Sequence, residues 1–467
     1  FETVVRDYTK RDDYMYDAHN RLGDARYSMR EFAKARRAYN IVASSASEER
    51  NYARYQLAMV DGIEAKTKSK VERLQSIIAD GEGDYVDDAW YELGRTYINA
   101  EKYSDGAKTL QEFVNNDTSS PYYVKAMSDL GLAYYNLGRK DDARKCYEEV
   151  VAYDPQSAEA LEAMRNIREI YVARGAVDEY FAYAERSGVQ SDMSAAARDS
   201  LTFASAKSLY LNNDYEAAKP KLRNYLDSFT KGYNRSEALF YLSDCHLQAG
   251  ENDDAIKSMD ELLAQGNTQY TERVLSVYAP LTFEKTMYES SAKAYRQLYD
   301  IASKQSLRQS ATEGYFEATT LYADDAKIKA VADEVMAMSD ATPWVLRKAA
   351  ITKAGILREE GSMNEATKLY TQLAENRTTA EGAEAYYWLI AERYKAGDYA
   401  VAENMVYEFG NSGSMYWQAK AFLILGDILV KQNNKFQARA TYQSIVDGYS
   451  PKDDGIVAEA KNKIKAL

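Results

Sequence analysis

The chain has 467 residues, 46% of them hydrophobic and 28% charged, with a formal net charge of −13. An acidic balance of this size excludes a general nucleic-acid or anionic-membrane binder, which needs a basic face, and no run of about 18 apolar residues is present to span a membrane. So long a chain exceeds what one compact core supports, yet only 6 prolines interrupt it. That combination points to long helices stacked as repeats, each unit packing on its neighbours.

In chain order, Phe1, Val4, Val5 and Tyr8 read as the tail of a second helix, so the sequence starts inside a repeat, ahead of a unit beginning near Tyr16. From there a small residue followed four positions later by a bulky one recurs, the two sharing a helix face. The pairs are Ala35/Tyr39, Lys70/Leu74, Gly106/Leu110, Ala143/Tyr147, Tyr180/Ala184, Ala218/Leu222, Ala255/Met259, Ser291/Tyr295, Lys329/Asp333, Ala366/Tyr370, Ala402/Val406 and Ala438/Tyr442. Their mean spacing is about 37, against about 34 for the commonest helix-pair repeat. Lys70, Tyr180 and Lys329 break the residue pattern and are placed by the period. A second series marks the turn inside each unit: Arg30, Glu101, Gly138, Gly175, Asn213, Gly250, Gly361, Gly397 and Asn433 each open a short turn. Gly or Asn there suits a left-handed helix cap.

After Pro155 the array continues through Met164–Val177, with Ile167, Ile170 and Tyr171 on one face. The segment Tyr270–Ser339 is the least regular, and Pro280, inside an expected first helix, should kink or delay it. Regular units resume at Thr342, with Pro343 suited to a helix start. In Asp453–Leu467, Ile456, Ala460, Ile464 and Leu467 share one face opposite a Lys/Glu-rich one, as a capping helix requires. The expected division is 1–269 as an N-terminal array, 270–341 as atypical units with a bend, 342–452 as a C-terminal array and 453–467 as the cap.

Asp87–Pro155 carries the strongest motif. Trp90, Leu93, Gly94 and Tyr97 are followed by Leu130, Gly131, Tyr134, Ala143, Tyr147 and Pro155. This resembles the tetratricopeptide repeat (TPR), W-x2-L-G-x2-Y…A-x3-F…P. The glycines let the two helices of a unit approach, and Tyr147 fills the gap they leave. The resemblance implies an all-α fold: a right-handed α-solenoid superhelix of about twelve helix–turn–helix units with a C-terminal capping helix. The joints Val150–Pro155 and Val446–Pro451, each with a Tyr near a Pro, also resemble those of BamD-type lipoproteins and the Tol-Pal-associated TPR protein of bacterial envelopes. That likeness implies a periplasmic or outer-membrane-associated scaffold, with the cytoplasm as the alternative location.

The TPR resemblance also implies where a ligand sits, because first helices line the concave face and their non-core positions meet the partner. Counted from the Leu-Gly positions, these are Tyr27, Tyr55, Tyr91, Arg95, Tyr135, Phe203, Lys207, Tyr210, Phe240, Tyr387 and Tyr394, with Asp24, Asp244 and Asp427 as charged companions. A Tyr-rich groove suits an extended or helical peptide, and the chain holds 41 tyrosines. The Lys/Asn clamp some TPR modules use for a C-terminal carboxylate does not occur at these positions. The expected partner is therefore a protein or peptide other than a chaperone tail, with self-association through an end unit a further expectation.

No cofactor, metal or enzymatic activity is expected. The two histidines, His19 and His246, lie in distant units, and zinc needs about four ligands in one place. Cys146 and Cys245 fall about three units apart, too far to bond, and read as buried thiols. No Walker loop, G-x-G-x-x-G or Ser-His-Asp set appears. The 72 acidic residues leave a glycosidase-like carboxylate pair open, so the alternative reading is an envelope glycan-binding or glycan-cleaving helical protein. Pairs such as Asp141-Asp142 and Asp253-Asp254, however, stand where they favour a helix dipole.

Overall fold

The computed structural model describes residues 1–81, 83–410, 412–450 and 452–467; Pro451, part of the second joint, lies outside them. Among the described residues every regular element is a helix, 26 in all, and they form two compact units, Phe1–Ala249 and Gly250–Leu467.

In the first unit, α1 (Glu2–Asp7) precedes six pairs: α2 (Asp13–Ser28) with α3 (Phe32–Ala43), α4 (Arg50–Ile63) with α5 (Thr67–Asp80), α6 (Val86–Asn99) with α7 (Tyr103–Asn116), α8 (Tyr123–Asn136) with α9 (Lys140–Tyr153), α10 (Ala158–Ala173) with α11 (Val177–Arg186), and α12 (Ala195–Leu211) with α13 (Tyr215–Ser228); α14 (Arg235–Gln248) closes it. In the second, α15 (Asn252–Leu263) is followed by α16 (Thr271–Glu284) with α17 (Tyr288–Ile301), α18 (Gln305–Tyr322) with α19 (Asp325–Ala337), α20 (Pro343–Glu359) with α21 (Met363–Ala374), α22 (Ala380–Lys395) with α23 (Tyr399–Tyr407), α24 (Met415–Lys431) with α25 (Lys435–Gly448), and α26 (Ile456–Lys465). Within each unit consecutive helices pack on one another, and first helices also touch the first helix of the next pair, as α6 does α8 and α22 does α24. This is the α-solenoid arrangement.

The turns explain why the chain pairs its helices. All nine expected turn residues have positive φ, from 57° at Glu101 to 86° at Gly361. At Gly138 the left-handed residue lets Arg139 N–H reach back to the Tyr134 carbonyl at 2.9 Å, closing α8 as a Schellman cap. The same bond recurs from Glu31 to Arg26 (2.8 Å) and from Asn434 to Leu429 (2.8 Å). Two further turns use Ala65 and Thr286 at φ 56° and 60°, residues that carry no left-handed preference.

Packing between paired helices follows the small/bulky pattern. A Cβ on Gly23, Gly131 or Gly426 would stand 2.3, 2.7 or 2.2 Å from the ring of Tyr39, Tyr147 or Tyr442. Each ring lies where only a glycine admits it. Lys70 fits a small-residue position because its stem runs along Gly62 and its ammonium reaches Glu92 at 2.6 Å. The neighbouring Asp61, fully buried, holds Arg36 (2.7 Å) and Arg73 (2.6 Å) from the helices on either side.

Two expectations are corrected. Lys329 and Asp333 are not the packing pair of α19; Ile328 and Ala332, one residue earlier, are buried instead, because the average period slips by one where α18 runs to 18 residues. Pro280 does not delay its helix, since α16 runs through it uninterrupted. The buried Ser291 hydroxyl of α17 donates to the Ala279 carbonyl beside it at 2.8 Å. Pro220 is likewise inside α13. At the end of the chain, α26 lays Ile456, Val457 and Ala460 on the core of α24 and α25, with Ile464 and Leu467 half-buried against it.

Candidate peptide-binding surface

The expected surface residues separate into three groups. The first is internal packing. Phe203, Phe240 and Tyr387 are buried, which corrects their assignment as ligand contacts. Phe203 stacks on Tyr241 (6.4 Å, 9°), Phe240 also meets Tyr241 (5.8 Å), and Tyr387 packs between Trp388 and Trp417 (5.0 and 5.1 Å). A non-core position on one first helix is the contact of the next first helix, so large rings there are covered. Tyr27 and Tyr394 are half-buried against Phe32 and Tyr399 of their own units (5.6 Å each).

The second group is satisfied internally. Tyr210 stacks on Tyr241 at 4.3 Å and donates to Asp244 at 2.7 Å; Lys207 pairs with Glu237 at 2.7 Å. The companion acids are similarly occupied. Asp24 accepts from Tyr39 at 2.8 Å and from Tyr52, and Asp427 from Tyr442 and Lys463.

In the third group, Tyr55 of α4 and Tyr91 of α6 are half-buried, and Arg95 of α6 and Tyr135 of α8 are exposed. Tyr55 meets Tyr85 at 5.5 Å, and Tyr91 stacks on Tyr122 at 5.0 Å and 18°. Arg95 lies over the Tyr91 ring, 5.6 Å from its centre, and 3.7 Å from Glu92. Tyr135 is exposed, as are Leu132 and Leu161. Leu132 lines a hollow of about 300 Å³ with Tyr91, Lys125, Asp129, Tyr147 and Glu162, among others; Leu161 lines a separate one with Met164, Tyr180 and Leu201. Asp129 was not foreseen. It is half-buried, and burial pushes its carboxyl above the ordinary range against the pull of Arg95 and the Tyr91 hydroxyl. Burial also pushes the Tyr91 phenol up to about 12. Tyr85, Tyr122 and Tyr241 were missed as well. Tyr85 and Tyr122 stand immediately before a first helix, and a recurrent joint tyrosine was the available signal.

Neither histidine approaches a metal-binding cluster: among the described residues no group of three His, Cys, Asp or Glu side chains is disposed to hold an ion. His19 is buried, and burial lowers its imidazole. Both cysteines are free and buried. Among the described residues no helix is long and apolar enough to cross a membrane.

TPR family profiles match residues 88–120, 124–157, 203–270 and 420–450. Those spans are tetratricopeptide repeats; of the helix pairs between them, α10/α11, α16/α17, α20/α21 and α22/α23 also turn through a residue of positive φ, at Gly175, Thr286, Gly361 and Gly397, whereas α18/α19 turns through extended Ala323. No curated protein matches the sequence. Among solved structures, MamA is 23% identical over 36% of this chain and 92% of its own (TM-score 0.30); yeast Tom70 is 12% identical over 97% of this chain and 96% of its own (0.31); and Naa15/Naa10 bound to HypK-THB is 10% identical over 97% of this chain and 78% of that one (0.39). Likenesses this distant carry no argument about what the chain binds.

Proposed function

We propose that this protein is a non-enzymatic binding scaffold that holds a protein or peptide segment along its first-helix face, at α6, α8 and α10. One observation carries the reading. Here Leu132 and Tyr135 of α8 are exposed, and Leu132 walls a hollow in which Tyr147, Glu159 and Glu162 have no polar partner among the described residues, whereas at Phe203–Asp244 and around Asp427 the corresponding groups are paired. Unpaired polar groups beside exposed aromatic and aliphatic ones are what a binding surface offers a partner. Recovery of partner proteins on immobilised wild type, compared with Tyr91→Ala/Tyr135→Ala, tests it: the variant is expected to lose the partner, and equal recovery contradicts this surface. The envelope setting suggested by the joints belongs to the same proposal, and fractionation of cells expressing the natural gene tests it.

Asp129 also favours a second reading. A carboxyl held above its usual range beside Glu159 and Glu162 is the kind of pair that glycan cleavage uses. At about 300 Å³ the hollow is near the lower limit for small-ligand pockets, so the docking reading stands first. Release of reducing sugar from envelope glycan that disappears in Asp129→Asn would reverse that order.

A further inference from the structure

In several pairs the buried tyrosine of the second helix donates its hydroxyl to an acidic residue: Tyr39 to Asp24 (2.8 Å), Tyr225 to Asp199 (2.7 Å) and Tyr442 to Asp427 (2.7 Å). Asp24 and Asp427 each directly follow the glycine that admits the ring. In the α8/α9 pair the glycine is Gly131 and the next residue is Leu132, which cannot accept. Tyr147 is therefore 3% exposed with no hydrogen-bond partner among the described residues. Tyr370 also lacks a partner, but its hydroxyl is sealed from solvent; Tyr147 lines the hollow.

The charge around Tyr147 is lopsided. Asp129, Glu159 and Glu162 line the same hollow, with Lys125 as its one lining cation. Arg95, outside the lining, lies over the Tyr91 ring and beside Glu92; it and the Tyr91 hydroxyl serve Asp129 in part, and neither serves Glu159 or Glu162. Neither glutamate has an ion-pair partner among the described residues. A half-buried carboxyl, two carboxylates with no ion pair among the described residues and the unpartnered hydroxyl of a buried tyrosine line one space with Tyr91 and Leu132.

We propose that this hollow receives a lysine or arginine side chain of the bound segment: its cation is held by Asp129, Glu159 and Glu162, the Tyr147 oxygen accepts one of its hydrogen bonds, and its stem lies along Tyr91 and Leu132. The proposal rests on the docking reading and adds the chemistry of the anchor. The guest supplies the counter-charge that the fold omits, and a cation beside an aromatic wall gains further attraction.

Selection of short random displayed peptides on the whole protein tests it. Peptides whose binding depends on Tyr91 and Tyr135 are expected to share a lysine or arginine at one position. Replacing that residue with norleucine should weaken binding about tenfold on wild type and far less on Glu159→Gln/Glu162→Gln. Tyr147→Phe should weaken the cationic peptide several-fold while leaving the melting temperature unchanged or higher, since no internal bond is lost. Peptides that need Tyr91 and Tyr135 but carry no common cation, or that ignore both variants, overturn this proposal and leave the docking reading standing. If no selected peptide depends on Tyr91 and Tyr135, the docking reading falls, and the proposal with it.

Discussion

The hydroxyl of Tyr442 in α25 donates to the carboxylate of Asp427 in α24 at 2.7 Å, and Lys463 of α26 reaches the same carboxylate at 2.8 Å. One acid thus ties a helix pair to the helix that covers it. Asp427→Ala strands a buried hydroxyl and should cost about 1–3 kcal/mol, with a smaller share from the half-exposed lysine pair. Tyr442→Phe should cost about 1 kcal/mol. The double variant should lose less than the sum, by about 1 kcal/mol, in urea denaturation; full additivity would mean the bond contributes nothing.

Two glycines of the second unit should respond to alanine with opposite signs. A Cβ on Gly426 would meet the Tyr442 ring at 2.2 Å, whereas one on Gly355, inside α20, meets nothing within 4 Å. Gly426→Ala is expected to destabilise by about 1–3 kcal/mol through overpacking. Gly355→Ala should stabilise by up to about 1 kcal/mol through helix propensity. Midpoints of chemical denaturation measure both.

Asp61 is the most buried charge in the first unit, clamped between Arg36 and Arg73. Asp61→Ala leaves Arg36 with Glu64 alone and takes from Arg73 its carboxylate; with both guanidinium groups partly exposed it should cost about 1–3 kcal/mol. A loss under 1 kcal/mol, read by calorimetry, would show that water screens the site.

Stability should fall steeply in alkali. Burial lifts the phenols of Tyr91 and Tyr225 from 10.0 to about 12, and the thiols of Cys146 and Cys245 from 9.0 to about 12. A group whose folded value is raised contributes its full stabilisation below its unfolded value and loses it as pH climbs towards the folded one. The window is therefore about pH 9 to 12. The part of the tyrosinate absorbance that comes from buried phenols such as Tyr91 and Tyr225 should rise in one late cooperative step that coincides with loss of helical circular dichroism, and the thiols should resist disulfide reagents until that step. Ionisation of every tyrosine with the helices intact would contradict the burial.

What could be read in advance follows the physics of each feature. Nine turns were legible because Gly, Asn and the recurring spacing announce a left-handed cap. Ala65 and Thr286 were not, because nothing in those side chains favours positive φ and the surrounding helices impose it. Lys70 breaks the residue pattern but keeps the packing, because a long side chain can occupy a small site if its charge escapes along the helix, here to Glu92. Part of the aromatic row is internal packing. Phe203, Phe240 and Tyr387 were placed on first helices, but sequence register does not distinguish a groove from the seam between neighbouring first helices. The hollow at Tyr147 was out of reach because its signal is a missing acid after Gly131, apparent only once the Tyr39 and Tyr442 bonds are known.

The central claim is that α6, α8 and α10 present a docking face, and hydrogen–deuterium exchange of the whole protein with and without a selected peptide tests it most directly. The expected result is slowed exchange concentrated on those three first helices, with the second helices α5, α7 and α9 unchanged. Protection confined to α5, α7 and α9, or to the second unit, would contradict it.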